Sequence, residues 1–326
     1  MNDKVSMILI PFKEGDPGIL FNIGSFPVRA YSVLLMIGII ASILTVLFFW
    51  LRENYKLDIL MTLIIIIVPL SIVGARLGYV FEALIYDPDP FKDSHWYAAW
   101  DGGLSIQGGV ILGACSGLIY GWYKRDVVDF RKILSFIIPT ILIGQFVGRW
   151  GNFTNHEVYG KIDWDGSAVK VWGSVIANNM FISDQYSAKL GLNGAYRYPL
   201  FLYEALANLF AYLVIVWIFN LFGLFKPGTH AGMYFLWYGL VRYSMEPLRQ
   251  EAFSLYSNVA LVFIFFGAFW IIYFQFISKV EYIVTKEKYR YVYTYKDELK
   301  YQKYVAKTSP KAAINWLKTK LTANEI

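Results

Sequence analysis

Residues 144–160 read GQFVGRWGNFTNHEVYG and follow twelve mostly apolar residues. Within nine positions they place Arg149, Asn152, Asn155, His156 and Glu157: one guanidinium, two carboxamides, an imidazole and a carboxylate. A second cluster, Tyr238, Arg242 and Glu246, repeats at i, i+4 and i+8, which puts all three on one helix face. Arg76 and Glu82 close another apolar run, Gln107 opens one, and Tyr203 with Glu204 opens a further one. Guanidinium is always charged and offers a planar fork that matches phosphate oxygens. Any one of these arginines reads equally well as a snorkelling side chain or half of a neutralised pair. Arg76, Arg149 and Arg242 together, with Asn152 and Glu157 adjacent, point instead to a shared anionic ligand.

The elements that must carry these groups are membrane helices. The 326 residues are 57% hydrophobic and only 17% charged, with mean hydropathy +0.43, whereas a soluble domain carries about a quarter charged residues. A spanning helix needs roughly 20 apolar residues, and seven candidates lie near 31–51, 59–80, 106–123, 133–149, 200–222, 231–246 and 258–278. The third and sixth are short or polar for a span. The expected fold is all-α, a polytopic protein of about seven transmembrane helices. Arg52, Lys56, Lys124, Arg125, Arg131, Lys132 and Lys226 fall in alternate connections. By the positive-inside rule these are cytoplasmic, with the N-terminus outside and the C-terminus inside. Residues 1–278 form the membrane domain, with outer loops at about 81–105 and 150–199. Residues 279–326 form a basic cytoplasmic tail with 11 Lys/Arg against 5 Asp/Glu, suited to an anionic leaflet. Nucleic-acid binding would over-read it.

This topology sets a depth for the polar groups: every one named above falls in the outer half of the bilayer. Charges at the bilayer centre cost about 2.5–3.5 kcal/mol, and less towards the interface. An arginine pocket at that level suits a phospholipid head group. When a phosphodiester lipid loses its phosphate arm, the leaving group goes from about −1 towards −2. Arginines that bind the product-like charge more tightly than the substrate's lower the barrier. The chemistry expected is head-group transfer. A transporter for an anionic solute would place its charges near the midplane, within repeated halves, and no repeat is seen. Gly109, Gly113, Gly117 and Gly121, on one face of the third span, read as a packing seam. Cys115 lies in an apolar run and reads as a small buried residue. The first twenty residues lack the layout of a cleaved signal peptide.

GRWGNFTNHEVYG (148–160) resembles the signature of the prolipoprotein diacylglyceryl transferase family, G-R-x-G-N-x-x-N-x-E-x-x-G. RAYSVLLMIG (29–38), GARLGYVFE (74–82), WDGGLSIQGG (100–109), YPLFLYEALANL (198–209) and WYGLVRYSMEPLRQ (237–250) resemble the family too. The likeness spans about residues 25–275. It implies transfer of the diacylglyceryl group of phosphatidylglycerol to the lipobox cysteine thiol of a prolipoprotein. It also implies that glycerol phosphate is released, and that no metal or cofactor takes part. The place implied is the outer leaflet of the bacterial cytoplasmic membrane. By the same resemblance Arg149 binds and polarises the lipid phosphate, Asn152, Asn155 and Glu157 shape the site, and Arg242 is a second essential guanidinium oriented by Glu246 and Tyr238. Tyr31 matches a family tyrosine near the pocket, with Glu204 and Arg76 beside it.

Gln107 departs from the family, which usually has histidine there. Glutamine hydrogen-bonds but takes no proton at this pH, while the thiol to be deprotonated has an ordinary pKa of about 8.5. Three accounts are open: His156 or Glu157 is the base, the arginine field lowers the thiol pKa, or the chain is an impaired paralogue that binds lipid or lipoprotein. His156 itself reads as a solvated loop histidine.

Overall fold

Apolar runs of this length leave their backbone polar groups no partner in lipid except each other, so they coil. The computed structural model describes residues 10–24, 26–86, 90–91, 95–98, 103–250, 252–310 and 312. Its long helices are α1 (Ala30–Arg52), α2 (Leu57–Tyr86), α3 (Ile106–Tyr123), α4 (Phe130–Thr154), α5 (Leu200–Asn220), α6 (Thr229–Met245) and α7 (Ser254–Ile277). Five of them, α1, α2, α4, α5 and α7, are long and apolar enough to cross a membrane. The two others, α3 and α6, are the pair whose sequences are short or polar for a span. Pro139 removes a backbone donor inside α4, and residues Ile138–Thr140 tighten into a 3-10 turn there. The second half of α5 widens into a π-helix over Tyr212–Asn220.

The chain divides into two compact units. One holds residues 1–46, 134–280 and 284–294; the other holds 47–133, 281–283 and 295–326. In the second unit, α2 and α3 touch almost backbone to backbone. A Cβ on Gly74 would meet Gly108 O at 2.5 Å and Leu112 Cβ at 2.6 Å; one on Gly117 would meet Ile67 at 2.9 Å. Gly109 and Gly113 face Ser71, and Gly121 faces Ile133 and Phe130. The glycine face of α3 is therefore the packing seam that its spacing implied, and Gly74, Gly78 and Gly108 complete it. In the first unit the same device joins α6 to α7, where Gly232 and Gly267 approach each other's backbone.

The chain is mostly helical, as an all-α polytopic protein would be, and short strands are added outside the helices. β1 (Phe12–Lys13), β4 (Phe181–Ser183) and β5 (Ala195–Tyr196) form a sheet in the order β1-β4-β5. In it Phe12 pairs with Ile182 in parallel and Phe181 with Tyr196 antiparallel. β2 (Ile19–Ile23) and β3 (Phe26–Arg29) form a hairpin before α1. β6 (Tyr282–Glu287) and β7 (Arg290–Tyr295) form another, and α8 (Glu298–Thr308) follows it. YIVTKE and RYVYTY are rich in β-branched and aromatic residues, which suit a pleated surface, so residues 282–308 of the basic tail carry a hairpin and a helix. Residues 155–199 fold as well. Val169, Met180, Ile182 and Phe201 make a small core there, against which Trp150 and Phe153 pack.

The α2–α3 seam is testable. Gly74→Val is expected to cost ~1–3 kcal/mol by overpacking, read as a lower thermal midpoint of the purified protein; an unchanged midpoint would show the seam is not tight.

Candidate phosphate-binding site

Two glycines explain how the signature holds its shape. A Cβ on Gly151 would sit 2.8 Å from the Tyr31 ring, so the glycine lets Tyr31 at the start of α1 lie flat against α4. A Cβ on Gly160 would sit 2.7 Å from both Leu248 O and Tyr198 Cβ. Without it, the backbone of Gly160 pairs with Arg249, and Lys161 N donates to Leu248 O at 2.9 Å. The two motif regions, some ninety residues apart, are thus locked together main chain to main chain. Between these glycines α4 ends, and His156 (φ 53°) and Val158 (φ 57°) adopt the left-handed conformation. That conformation costs a non-glycine residue about 1–2 kcal/mol. Glu157 N, donating to Asn152 O at 2.9 Å, helps hold the reversal.

The charged groups of this unit form one chain of alternating sign. Arg149 pairs with Glu204. The other Glu204 oxygen accepts from Arg249 Nη2 at 2.7 Å. Arg249 Nε lies 3.7 Å from Glu246 Oε2, and that oxygen is 3.1 Å from Arg242 Nη2. Glu246 Oε1 accepts from the Phe253 amide at 3.1 Å. Both carboxylates are nearly inaccessible, at 4% and 2% side-chain exposure, while the guanidinia remain 16–25% exposed. Carboxylates below and guanidinia above present three positive groups against two negative ones. Burial pulls Arg249 down from the ordinary arginine range, and Arg242 and Arg149 push the same way against the pull of Glu204. An anion in front of the three would relieve that repulsion.

Arg242 and Arg249 line a cavity of about 480 Å³, with Gln250, Phe253, Tyr256 and Tyr159. The Arg242 guanidinium lies over the Tyr256 ring at 4.9 Å. Behind the cavity, the fully buried Arg197 pairs with Asp184 at 2.5 Å and holds Gln250 Oε1 at 2.8 Å. Tyr159 donates to Asp184 at 3.0 Å. Burial and the Asp184 charge push the Tyr159 phenol above its usual range, so it stays a donor.

The other expected residues fall as follows. Asn152 accepts from Arg149 Nη1 at 3.3 Å, and Asn155 donates to Glu157 at 3.4 Å. Tyr31 lies within electrostatic reach of both Arg149 and Glu157. Tyr238 stacks on Tyr234 and meets Phe263 edge-on; the ring that carries Arg242 is Tyr256. His156 is not a solvated loop residue. It is 6% exposed, stacks on Phe12 at 4.2 Å, and places Nδ1 3.4 Å from Asp16 O. Three groups sit in the second unit. Arg76 is buried and donates to the carbonyls of Trp96 (2.7 Å), His95 (3.0 Å) and Gly103 (3.0 Å), with Tyr79 against its face. It clamps the segment before α3. Glu82 accepts from Ser105 at 2.7 Å, and the exposed Gln107 stands 3.1 Å from the same hydroxyl.

Sequence reasoning passed over Arg249, Tyr256 and the Asp184–Arg197 pair. Arg249 is three residues after Glu246, but Pro247 turns the chain into a 3-10 segment, and helical spacing from Arg242 no longer predicts where it points. Asp184 and Arg197 sit in a loop with no periodicity to align them. Glu204→Gln is expected to lower stability by ~3 kcal/mol, since it strips the shared counter-charge from two arginines. Thermal unfolding would show it, with Glu287→Gln, at an exposed pair, changing little.

Comparison with known proteins agrees with the geometry. Residues 18–273 match the family described as prolipoprotein diacylglyceryl transferase. The chain is 49% identical over 288 residues to the phosphatidylglycerol–prolipoprotein diacylglyceryl transferase of Mycoplasmopsis pulmonis, covering 87% of each protein. It is 34% identical over 240 residues to the protein of that name from Streptococcus agalactiae, covering 73% of this chain and 86% of the relative. For the Streptococcus mutans protein the identity is 32% over 237 residues. With the signature in place and most of the chain matched, the protein belongs to the prolipoprotein diacylglyceryl transferase family.

Proposed function

We propose that the protein transfers the diacylglyceryl group of phosphatidylglycerol to the lipobox cysteine of a prolipoprotein at the outer face of the bacterial cytoplasmic membrane. The carrying observation is the Arg149–Glu204–Arg249–Glu246–Arg242 chain with its excess of one positive charge. A phosphodiester of charge about −1 balances that excess, and the departing phosphomonoester, nearer −2, is held more tightly. In the step, the thiolate sulfur attacks the diacylglyceryl carbon that carries the phosphate. A C–S bond forms, the C–O bond breaks, and its electron pair leaves with glycerol phosphate. The thiol proton passes to a base or to the phosphate product.

Arg149 and Arg242 are the guanidinia assigned to the phosphate. Glu246 orients Arg242, and Glu204 pairs with both Arg149 and Arg249. Glu157, held by Asn155 and within electrostatic reach of Tyr31, is the carboxylate assigned to the thiol proton. Asn152, Asn155, Tyr31 and Tyr238 shape the lipid pocket. Gln107 is assigned a hydrogen bond to substrate, and the field of three arginines favours the thiolate without a histidine there. Arg76 is a positioning residue for the outer loop. Seven spans, with the N-terminus outside and the C-terminus inside, are the topology assigned to the chain.

The test is a transfer assay with purified protein, acyl-labelled phosphatidylglycerol and a lipobox peptide. Wild type should label the peptide. Arg149→Ala should lose about 10²–10³ in rate, as for removal of a preorganised charge-stabilising donor. Arg149→Lys should lose roughly tenfold, because the fork is gone though the charge remains. Gln107→His should stay near wild type. If wild type is inert and Gln107→His transfers, the chain is an impaired paralogue; if neither transfers, the reading fails.

A further inference from the structure

Arg125 lies just past Tyr123, the end of α3 opposite Gln107, which is 16 helical residues or about 24 Å along the helix. It is 3% exposed. Its Nη2 donates to the Thr308 hydroxyl at 2.5 Å, and its plane lies 3.6 Å from the centre of the Trp122 ring, with Tyr304 at 5.7 Å. Nε and Nη1 are buried without a hydrogen-bond partner among the described residues, and none of these residues offers a carboxylate in ion-pair range. Buried charges are normally paired and buried donors satisfied, and among the described residues this guanidinium has no anion.

Two adjoining spaces say which anion. A cavity of about 190 Å³ opens on Arg125, with Lys124 and Asp126 beside it and Ser309 and Pro310 from the end of the α8 segment. Asp126 opposes an anion, but the two cations outnumber it. Beside this runs an apolar groove of about 850 Å³ between α2 and α3, walled by Ile66, Leu70, Leu118 and Ile119; Tyr123 and Pro310 line both spaces. From Tyr123 back to Ser116 the groove covers about 10 Å of helix, within the ~15 Å of one hydrocarbon leaflet. Free phosphate would satisfy the arginine and leave the groove unused. A phosphate carrying acyl chains uses both.

We propose that Arg125, Lys124 and the α2–α3 groove bind one anionic phospholipid in the leaflet opposite the Gln107 end of α3, its phosphate on the arginine and an acyl chain along the groove. On the orientation proposed above this is the cytoplasmic leaflet, and α8, through Thr308 and Ser309, folds over the head group. The site is separate from the transfer pocket and needs no turnover.

The full chain is placed in vesicles with trace phosphatidylglycerol or phosphatidylcholine bearing the same diazirine-tagged acyl chains, and crosslinks are mapped by peptide. Labelling of residues 116–123 should be about fivefold higher with phosphatidylglycerol than with phosphatidylcholine, the ratio expected for one cation near an anionic lipid. Arg125→Gln should bring the ratio close to one, and Arg125→Lys should retain most of it. Equal wild-type labelling by the two lipids would overturn the proposal, as would a ratio unchanged in Arg125→Gln. Loss of the label to millimolar inorganic phosphate would also overturn it, by making the ligand a small anion. Should Arg125→Gln fail to fold, the wild-type ratio decides alone. The transfer assay and crosslinks at residues 242–256 report on the other pocket, so failure of one reading is distinct from failure of the other.

Discussion

Three arginines linked through two shared carboxylates repel one another, and the fold around them follows from how that repulsion is held in check. Two carboxylates, Glu204 and Glu246, lie beneath the guanidinia with almost no access to water, and Glu204 is shared between Arg149 and Arg249. Buried carboxylates are tolerable only while paired, so removing any one member exposes the others to the full desolvation penalty. The pairing also fixes which edge of each guanidinium faces outward. An excess of positive charge is thus a by-product of neutralising the carboxylates from one side only.

Holding those five charges in line needs elements far apart in the chain, which accounts for the glycines. Gly151 brings α1 against α4 through Tyr31, and Gly160 brings the signature turn against the chain after α6. The buried Arg197–Asp184 pair then sets Gln250, and with it the direction of the chain leaving Arg249. Each contact is a close approach of backbone or a buried ion pair, and both depend on tight packing.

What the sequence disclosed follows the same physics. Helices were legible because apolar runs of span length have one solution in lipid, and α3 and α6 stood out because they are short and polar. The Arg242–Glu246 pair was legible from its i, i+4 spacing. Arg249 was not, because Pro247 breaks that periodicity. Nor was the burial of His156, which depends on Phe12, more than a hundred residues upstream. The folded tail escaped notice because net charge outweighed the aromatic, β-branched pattern of β6 and β7. Arg76 seemed one of three equivalent arginines, yet its donors go to the carbonyls of the segment before α3, a partnership that only the folded loop reveals.

The main-chain joint at Gly160 and Lys161 has one more effect. Tyr198 returns to the same place, accepting from Gly160 N and donating to Lys161 O, so both ends of the intervening excursion are pinned at its root. Closure entropy rises only logarithmically with loop length, about 0.6 kcal/mol for each doubling. Length can therefore change at the exposed turn near Gly191 with little thermodynamic consequence for the charges below, while Asp184 and Arg197 keep their places. The outer surface of that stretch is free to diversify while the joint at its root stays fixed.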